Sequence, residues 1–166
     1  MFASSYLFTA QERLESLKTG ALSAAIAASV TLSFKLLHAA LLQHPLVGAV
    51  RPDVRPHAIA LLLSAIPFLT AVISGAVSGA LFGITYRYIV RQDDNPQLAA
   101  GAVGAFGLVR GLALVEVGIG HQAGWALALT LGESVGLFAI AQVVLKIALR
   151  RRWLRPFGAA SQPPSR

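Results

Sequence analysis

The chain has 166 residues, of which 55% are hydrophobic and only 13% are charged. Soluble domains carry about 25% charged residues, so this composition excludes a water-soluble fold and predicts an integral membrane protein in contact with the lipid bilayer. The 14 lysines and arginines outnumber the 7 acids. They lie at the ends of apolar segments rather than in one patch, which argues against nucleic acid as a partner. Cysteine is absent, which excludes disulfides and thiolate chemistry.

The first predicted element is an N-terminal interfacial segment, residues 1–18. Thr9 and Glu12 have the spacing of a capping box, which predicts a helix that begins near Ala10. Further along, Asn95 precedes Pro96, a pairing typical of the first turn of a helix.

Four apolar segments reach the roughly 20 residues that a membrane-spanning helix requires. They cover about residues 20–42, 58–86, 98–117 and 125–148. Their connections are short and contain glycine or proline, which favours an antiparallel bundle of four transmembrane helices within residues 19–149. A basic C-terminal tail, residues 150–166, follows this all-α domain.

Basic residues are distributed unevenly between the two ends of the bundle. Ten belong to the side of both termini, namely Arg13, Lys18, Arg87, Arg91, Lys146, Arg150, Arg151, Arg152, Arg155 and Arg166. Two, Arg51 and Arg55, belong to the other side. This bias predicts that both termini face the cytoplasm or the stroma. The tail residues Arg150, Arg151, Arg152 and Arg155 are expected to meet anionic lipid headgroups.

Two rows of glycines lie on the second and third predicted spans. They are Gly75, Gly79 and Gly83 on one, and Gly104, Gly107 and Gly111 on the other. Missing side chains let a second helix backbone approach closely. The rows therefore predict helix packing, either within one chain or between the chains of a homo-oligomer.

Several ionisable residues lie inside the spans, where an unpaired charge costs roughly 2.5 to 3.5 kcal/mol. They are Lys35, His38, Arg110, Glu116 and Glu133. Lys35, Arg110 and Glu133 share one depth in the outer half of the membrane, and helical spacing predicts that Lys35 faces inward. We expect Glu133 to pair with Arg110 or with Lys35. Arg110 is favoured, because its planar guanidinium can bond both oxygens of a carboxylate. The alternatives are snorkelling of Lys35 and Glu116, or a path for protons, ions or a ligand.

No catalytic motif is present, so the sequence does not predict an enzyme. His38 lies within a span and is a candidate axial ligand for chlorophyll or haem. The remaining metal-ligating side chains, His44, Asp53, His57 and His121, lack a tight ligand spacing, and no metal site is predicted.

The stretch Arg91-Gln92-Asp93-Asp94-Asn95-Pro96, with Gly104–Leu112 after it, resembles small uncharacterised multi-span membrane proteins of cyanobacteria and chloroplasts. The resemblance implies a thylakoid location and an accessory role around a photosynthetic complex; a bacterial inner membrane is the alternative. We therefore expect a non-catalytic accessory or assembly protein that docks on a larger membrane complex or on itself. The rival expectations are an oligomeric conduit for ions or small solutes and a pigment- or haem-binding subunit.

Overall fold

The computed structural model describes residues 10–42, 58–90, 95–120 and 123–155. Within these ranges the chain forms four long α-helices. They are α1 (Ala10–Leu42), α2 (Ala58–Ile89), α3 (Pro96–Gly118) and α4 (Gly124–Arg150). Each helix is long and apolar enough to cross a membrane. The protein is therefore the all-α integral membrane bundle that its composition predicts.

The described part of α1 begins at Ala10, and the predicted capping residue Thr9 lies outside the described residues. The start of α3 follows from local sequence. At α3 the Asn95 side chain accepts a hydrogen bond of 2.9 Å from the backbone N–H of Gln97, and Pro96 occupies the first turn. Proline costs nothing there because the first N–H groups of a helix have no intrahelical partner.

α1 and α2 form an antiparallel hairpin that is packed through the first glycine row. A Cβ added at Gly75 would meet the Thr31 hydroxyl, and one added at Gly79 would lie 2.7 Å from the carbonyl oxygen of Ser23. At Gly83 an added Cβ would meet the Ser23 side chain and the Thr19 carbonyl. The two backbones are thus close enough to exclude any side chain at these positions. This row is used for packing within the chain.

The face that α1 presents to the glycines differs from the predicted one. The sequence predicts that Lys35 faces inward, but Lys35 is exposed. Close contact with a glycine row follows the four-residue ridge of the helix, whereas the prediction assumed the alternating spacing of a coiled coil. The buried ridge consists of Thr19, Ser23, Ala27 and Thr31.

α3 and α4 form a second antiparallel hairpin. A Cβ at Gly107 would lie 2.8 Å from the Cα of Val135, and one at Gly111 would meet Leu131. Gly104 has no such neighbour within 4 Å, so it takes no part in the α3–α4 contact of the described chain.

The two hairpins meet through aromatic rings. Phe82 of α2 is fully buried, and its ring centroid lies 5.5 Å from that of Phe106 in α3 and 5.2 Å from that of Phe138 in α4. The rings of Phe106 and Phe138 are 5.6 Å apart. Tilted and edge-on aromatic pairs at such distances contribute about 0.5 to 1.5 kcal/mol each beyond their buried area. This cluster aligns α2, α3 and α4.

Candidate functional site

The predicted charged layer is divided between two separate sites. On one side of the bundle, the Nε2 atom of His38 in α1 lies 3.3 Å from the Oε1 atom of Glu133 in α4. Both side chains are partly exposed, at 40% and 27%. This contact joins the first hairpin to the last helix, and it brings together two of the predicted residues.

The second site holds Arg110, which projects from α3 toward α2. Its Nη1 atom donates to the hydroxyl oxygens of Ser74 and Ser78, over 2.9 and 3.1 Å. These serines lie four residues apart, so their side chains share one face of α2. The guanidinium is thus held by two neutral acceptors.

Glu133 does not pair with Arg110 or Lys35, so the predicted ion pair is wrong. The three residues do lie within neighbouring helices, but Glu133 faces α1 while Arg110 faces α2. Equal depth is a necessary condition for contact and leaves the rotation of each helix about its axis undetermined. Lys35 and Glu116 are both exposed, as their snorkelling alternative requires.

A groove surrounds Arg110 on the surface between α2 and α3. It has a volume of about 470 Å³. Besides Arg110 and the two serines, its lining is almost entirely apolar and includes Leu81, Phe106 and Phe138. A single cationic group therefore lies against an otherwise apolar depression.

Arg87, near the end of α2, is extensively hydrogen-bonded, whereas the sequence predicts only that it lies on the basic side of the membrane. Its side chain is 1% exposed. Nη2 donates to the Glu12 carboxylate at 2.9 Å, while Nη1 donates to the Glu12 carbonyl at 3.0 Å and to the Ser16 hydroxyl at 2.6 Å. Nε donates to the carbonyl oxygen of Arg155 at 2.9 Å. Arg87 thus ties together α1, α2 and the chain after α4.

A signal for this contact is present in the sequence. Arg87 follows Gly83 by four residues, so it continues the glycine row and must point at α1. Glu12 and Ser16 lie on the same side of α1 as the buried ridge, but a four-residue step back from Thr19 leads to Glu15. The glycine row thus predicts that Arg87 faces α1 and does not predict which side chains of α1 it meets.

The basic tail begins with a reversal of the chain. Arg152 has a positive φ of 59°, and the Trp153 N–H donates to the Ala148 carbonyl at 3.0 Å. The Arg152 N–H donates to the Leu149 carbonyl at 3.1 Å, which completes a Schellman motif. This turn returns Leu154 to the core and leaves Arg150, Arg151 and Arg152 exposed, as headgroup contact requires.

His38 is the residue that we considered for a pigment or haem. Its Nε2 atom is engaged by Glu133, so axial ligation through that nitrogen would require the contact to break. In the part of the chain that the structure describes, no group of three or more His, Cys, Asp or Glu side chains is arranged to hold a metal ion. His44, Asp53, His57 and His121 lie outside the described residues.

Comparison of the chain with known protein families, with curated proteins and with solved structures finds no match. What the protein does is therefore inferred from the geometry of its own residues.

Proposed function

We propose that this integral membrane protein is a non-catalytic accessory or assembly protein that docks through the outward face of α4. The partner is a larger membrane complex or a second copy of the chain, which presents a transmembrane helix to that face. The observation that carries the proposal is a glycine pair on α4, Gly132 and Gly136, that no other part of the described chain covers.

The two glycines lie opposite the buried side of α4. The core residues of this helix are Ser134, Leu137, Phe138, Ala141, Leu145 and Ala148. At 100° per residue, Gly132 and Gly136 lie on the other side of the helix, with Ala128 one turn before them. A Cβ added at either glycine would meet nothing within 4 Å.

Glycine inside a helix costs about 1 kcal/mol relative to alanine. At Gly75, Gly79 and Gly83 the close approach of α1 offsets this cost. At Gly132 and Gly136 no contact within the described chain offsets it. The same four-residue spacing on an uncovered face fits a helix from outside the chain, since small residues are what allow transmembrane backbones to touch.

The test is to replace the two glycines by larger side chains without disturbing the fold. The double variant Gly132→Leu/Gly136→Leu should retain the unfolding midpoint of the parent chain, because the added side chains have open space. It should lose a partner that copurifies from native membranes, or the dimer mass in mild detergent. The matched control is Ala21→Leu/Ala25→Leu, which enlarges two exposed small residues at the same spacing on α1.

An unchanged partner or mass in the α4 variant would contradict docking at this face. The same preparations discriminate the rival functions. An oligomer that carries an ion or proton flux in liposomes would support a conduit, and visible absorbance that is lost in His38→Leu would support pigment or haem binding.

The location of the protein is part of the proposal. We propose a thylakoid or bacterial inner membrane, with both termini on the stromal or cytoplasmic side. Support comes from the excess of basic residues at the end of the bundle that holds the start of α1 and the end of α4.

A further inference from the structure

The groove between α2 and α3 contains a cation without a counter-charge from the described chain. Among the described residues, no carboxylate lies within 4 Å of the Arg110 guanidinium, whose partners are the neutral hydroxyls of Ser74 and Ser78. A guanidinium has five N–H donors, and only Nη1 is engaged here. The group retains both its charge and donor capacity for a further ligand.

Arg110 lies at a depth where this charge is expensive. It precedes Gly118, the last residue of α3, by eight residues, which is about 12 Å at 1.5 Å per residue. A charge within the hydrocarbon region is normally paired or reaches water. The two serine contacts hold the side chain against α2 at this depth.

The rest of the groove suits a hydrocarbon chain. The apolar wall beside Arg110 contains Phe106, Phe138 and Leu81, and the volume of about 470 Å³ falls in the range of small-molecule sites, about 300 to 1,000 Å³. An anionic head next to Arg110 with an apolar tail along this wall satisfies both parts of the groove. That combination is an anionic amphiphile.

We propose that the Arg110 groove binds an anionic phospholipid, whose phosphate oxygens accept from Arg110 and one of whose acyl chains lies along the apolar wall. A phosphate group presents two oxygens to the guanidinium fork, which is a geometry that arginine favours. A fatty acid carboxylate also presents two oxygens to the guanidinium and is the competing head group. The site is separate from the α4 face proposed for docking.

Native mass spectrometry of the full chain in mild detergent tests this inference. The probes are phosphatidylglycerol, phosphatidylcholine and oleate. The parent chain should retain phosphatidylglycerol with at least tenfold preference over phosphatidylcholine. Arg110→Gln should reduce that retention at least tenfold, whereas Arg13→Gln, which removes an exposed charge near the start of α1, should change it less than twofold.

A second variant tests the tail of the ligand and guards against misfolding of Arg110→Gln. Ala105 lines the groove on the same side of Arg110 as Phe106 and is exposed, so Ala105→Phe should fill the acyl site and leave Arg110 in place. We expect a loss of lipid similar to that in Arg110→Gln, with an unchanged far-ultraviolet circular dichroism spectrum.

Three outcomes of the lipid-binding measurement would overturn the proposal. They are equal retention of the two phospholipids by the parent chain, undiminished phosphatidylglycerol in both variants, and a preference for oleate, which would assign the site to a carboxylate. A membrane protein that copurifies with the parent chain and is lost in Arg110→Gln, without any change in lipid, would also overturn it in favour of an acidic residue on a partner helix.

Discussion

Arg87 joins three separate parts of the chain at one end of the bundle. The guanidinium of Arg87 donates to the side chain and carbonyl of Glu12, to the hydroxyl of Ser16 and to the carbonyl of Arg155. Removing the guanidinium leaves the Glu12 carboxylate and two carbonyl groups without this donor. Breaking a buried ion pair by removing one partner typically costs 3 to 5 kcal/mol, so we expect Arg87→Met to destabilise the protein by about 3 kcal/mol.

Unfolding in mixed micelles, followed by circular dichroism, measures this loss. Arg87→Lys should recover less than half of it, since one ammonium cannot reach acceptors that lie around a planar fork. The control Arg13→Met removes an exposed arginine from the same end and should change stability by less than about 0.5 kcal/mol. Equal effects of Arg87→Met and Arg13→Met would show that the buried contact contributes little.

The His38–Glu133 contact predicts energetic coupling between α1 and α4. In a double-mutant cycle with His38→Leu and Glu133→Leu, we expect the loss in the double variant to be smaller than the sum of the single losses by about 1 kcal/mol. The parallel cycle with Arg110→Leu and Glu133→Leu should be additive to within about 0.5 kcal/mol, because Arg110 bonds to α2 instead. Strong coupling in the second cycle and none in the first would reverse this assignment.

The glycine rows determine how whole helices pack. Matched substitutions can distinguish a glycine that contacts a neighbouring helix from one that does not. Gly79→Ala should destabilise the α1–α2 hairpin by about 1 to 3 kcal/mol, since the new methyl group would press on the Ser23 carbonyl and the Ala27 side chain. Gly104→Ala should be neutral or stabilising by up to about 1 kcal/mol, because it gains helix propensity and meets nothing. Thermal unfolding in detergent compares the two, and similar effects would remove the distinction between the positions.

The reversal after α4 depends on one residue in the left-handed region. Arg152, at φ 59°, occupies the position that glycine usually takes in a Schellman motif. We expect Arg152→Val to cost about 1 to 2 kcal/mol, because a β-branched side chain fits this conformation poorly, and Arg152→Gly to be neutral or stabilising. Arg151→Val, at a φ of −79°, is the control and should be milder. An Arg152→Val variant as stable as the control would mean that the tail does not need this turn.

At the scale of the whole molecule, the open prediction is orientation in the membrane. Four spans place both termini on the same side, and the excess of basic residues near that side predicts the cytoplasmic or stromal face. The chain has no cysteine of its own, so Ala3→Cys and Ser165→Cys each introduce a unique thiol. In sealed vesicles both should react with a membrane-impermeant maleimide only from the positive-inside face. Labelling from the opposite face would invert the topology and place Arg110 in the other leaflet.

Sequence alone was sufficient for the composition-driven features of this protein. The four spans and the Asn95 cap of α3 agree with the structure. These features depend on the transfer energy of one segment or on hydrogen bonds between residues a few positions apart. Each is determined within a short stretch of chain and does not depend on where the other helices lie.

Only the tertiary structure decided which side chains meet. Gly104 has no close neighbour although Gly107 lies against Val135, and Glu133 contacts His38 rather than Arg110. The Arg87 contact likewise joins residues more than 60 positions apart in the chain. Such pairings depend on how each helix is rotated about its axis, and that rotation is set jointly by all the faces that a helix must pack at once. The hydropathy of a span says little about this rotation, because lipid and a neighbouring helix are equally apolar surroundings.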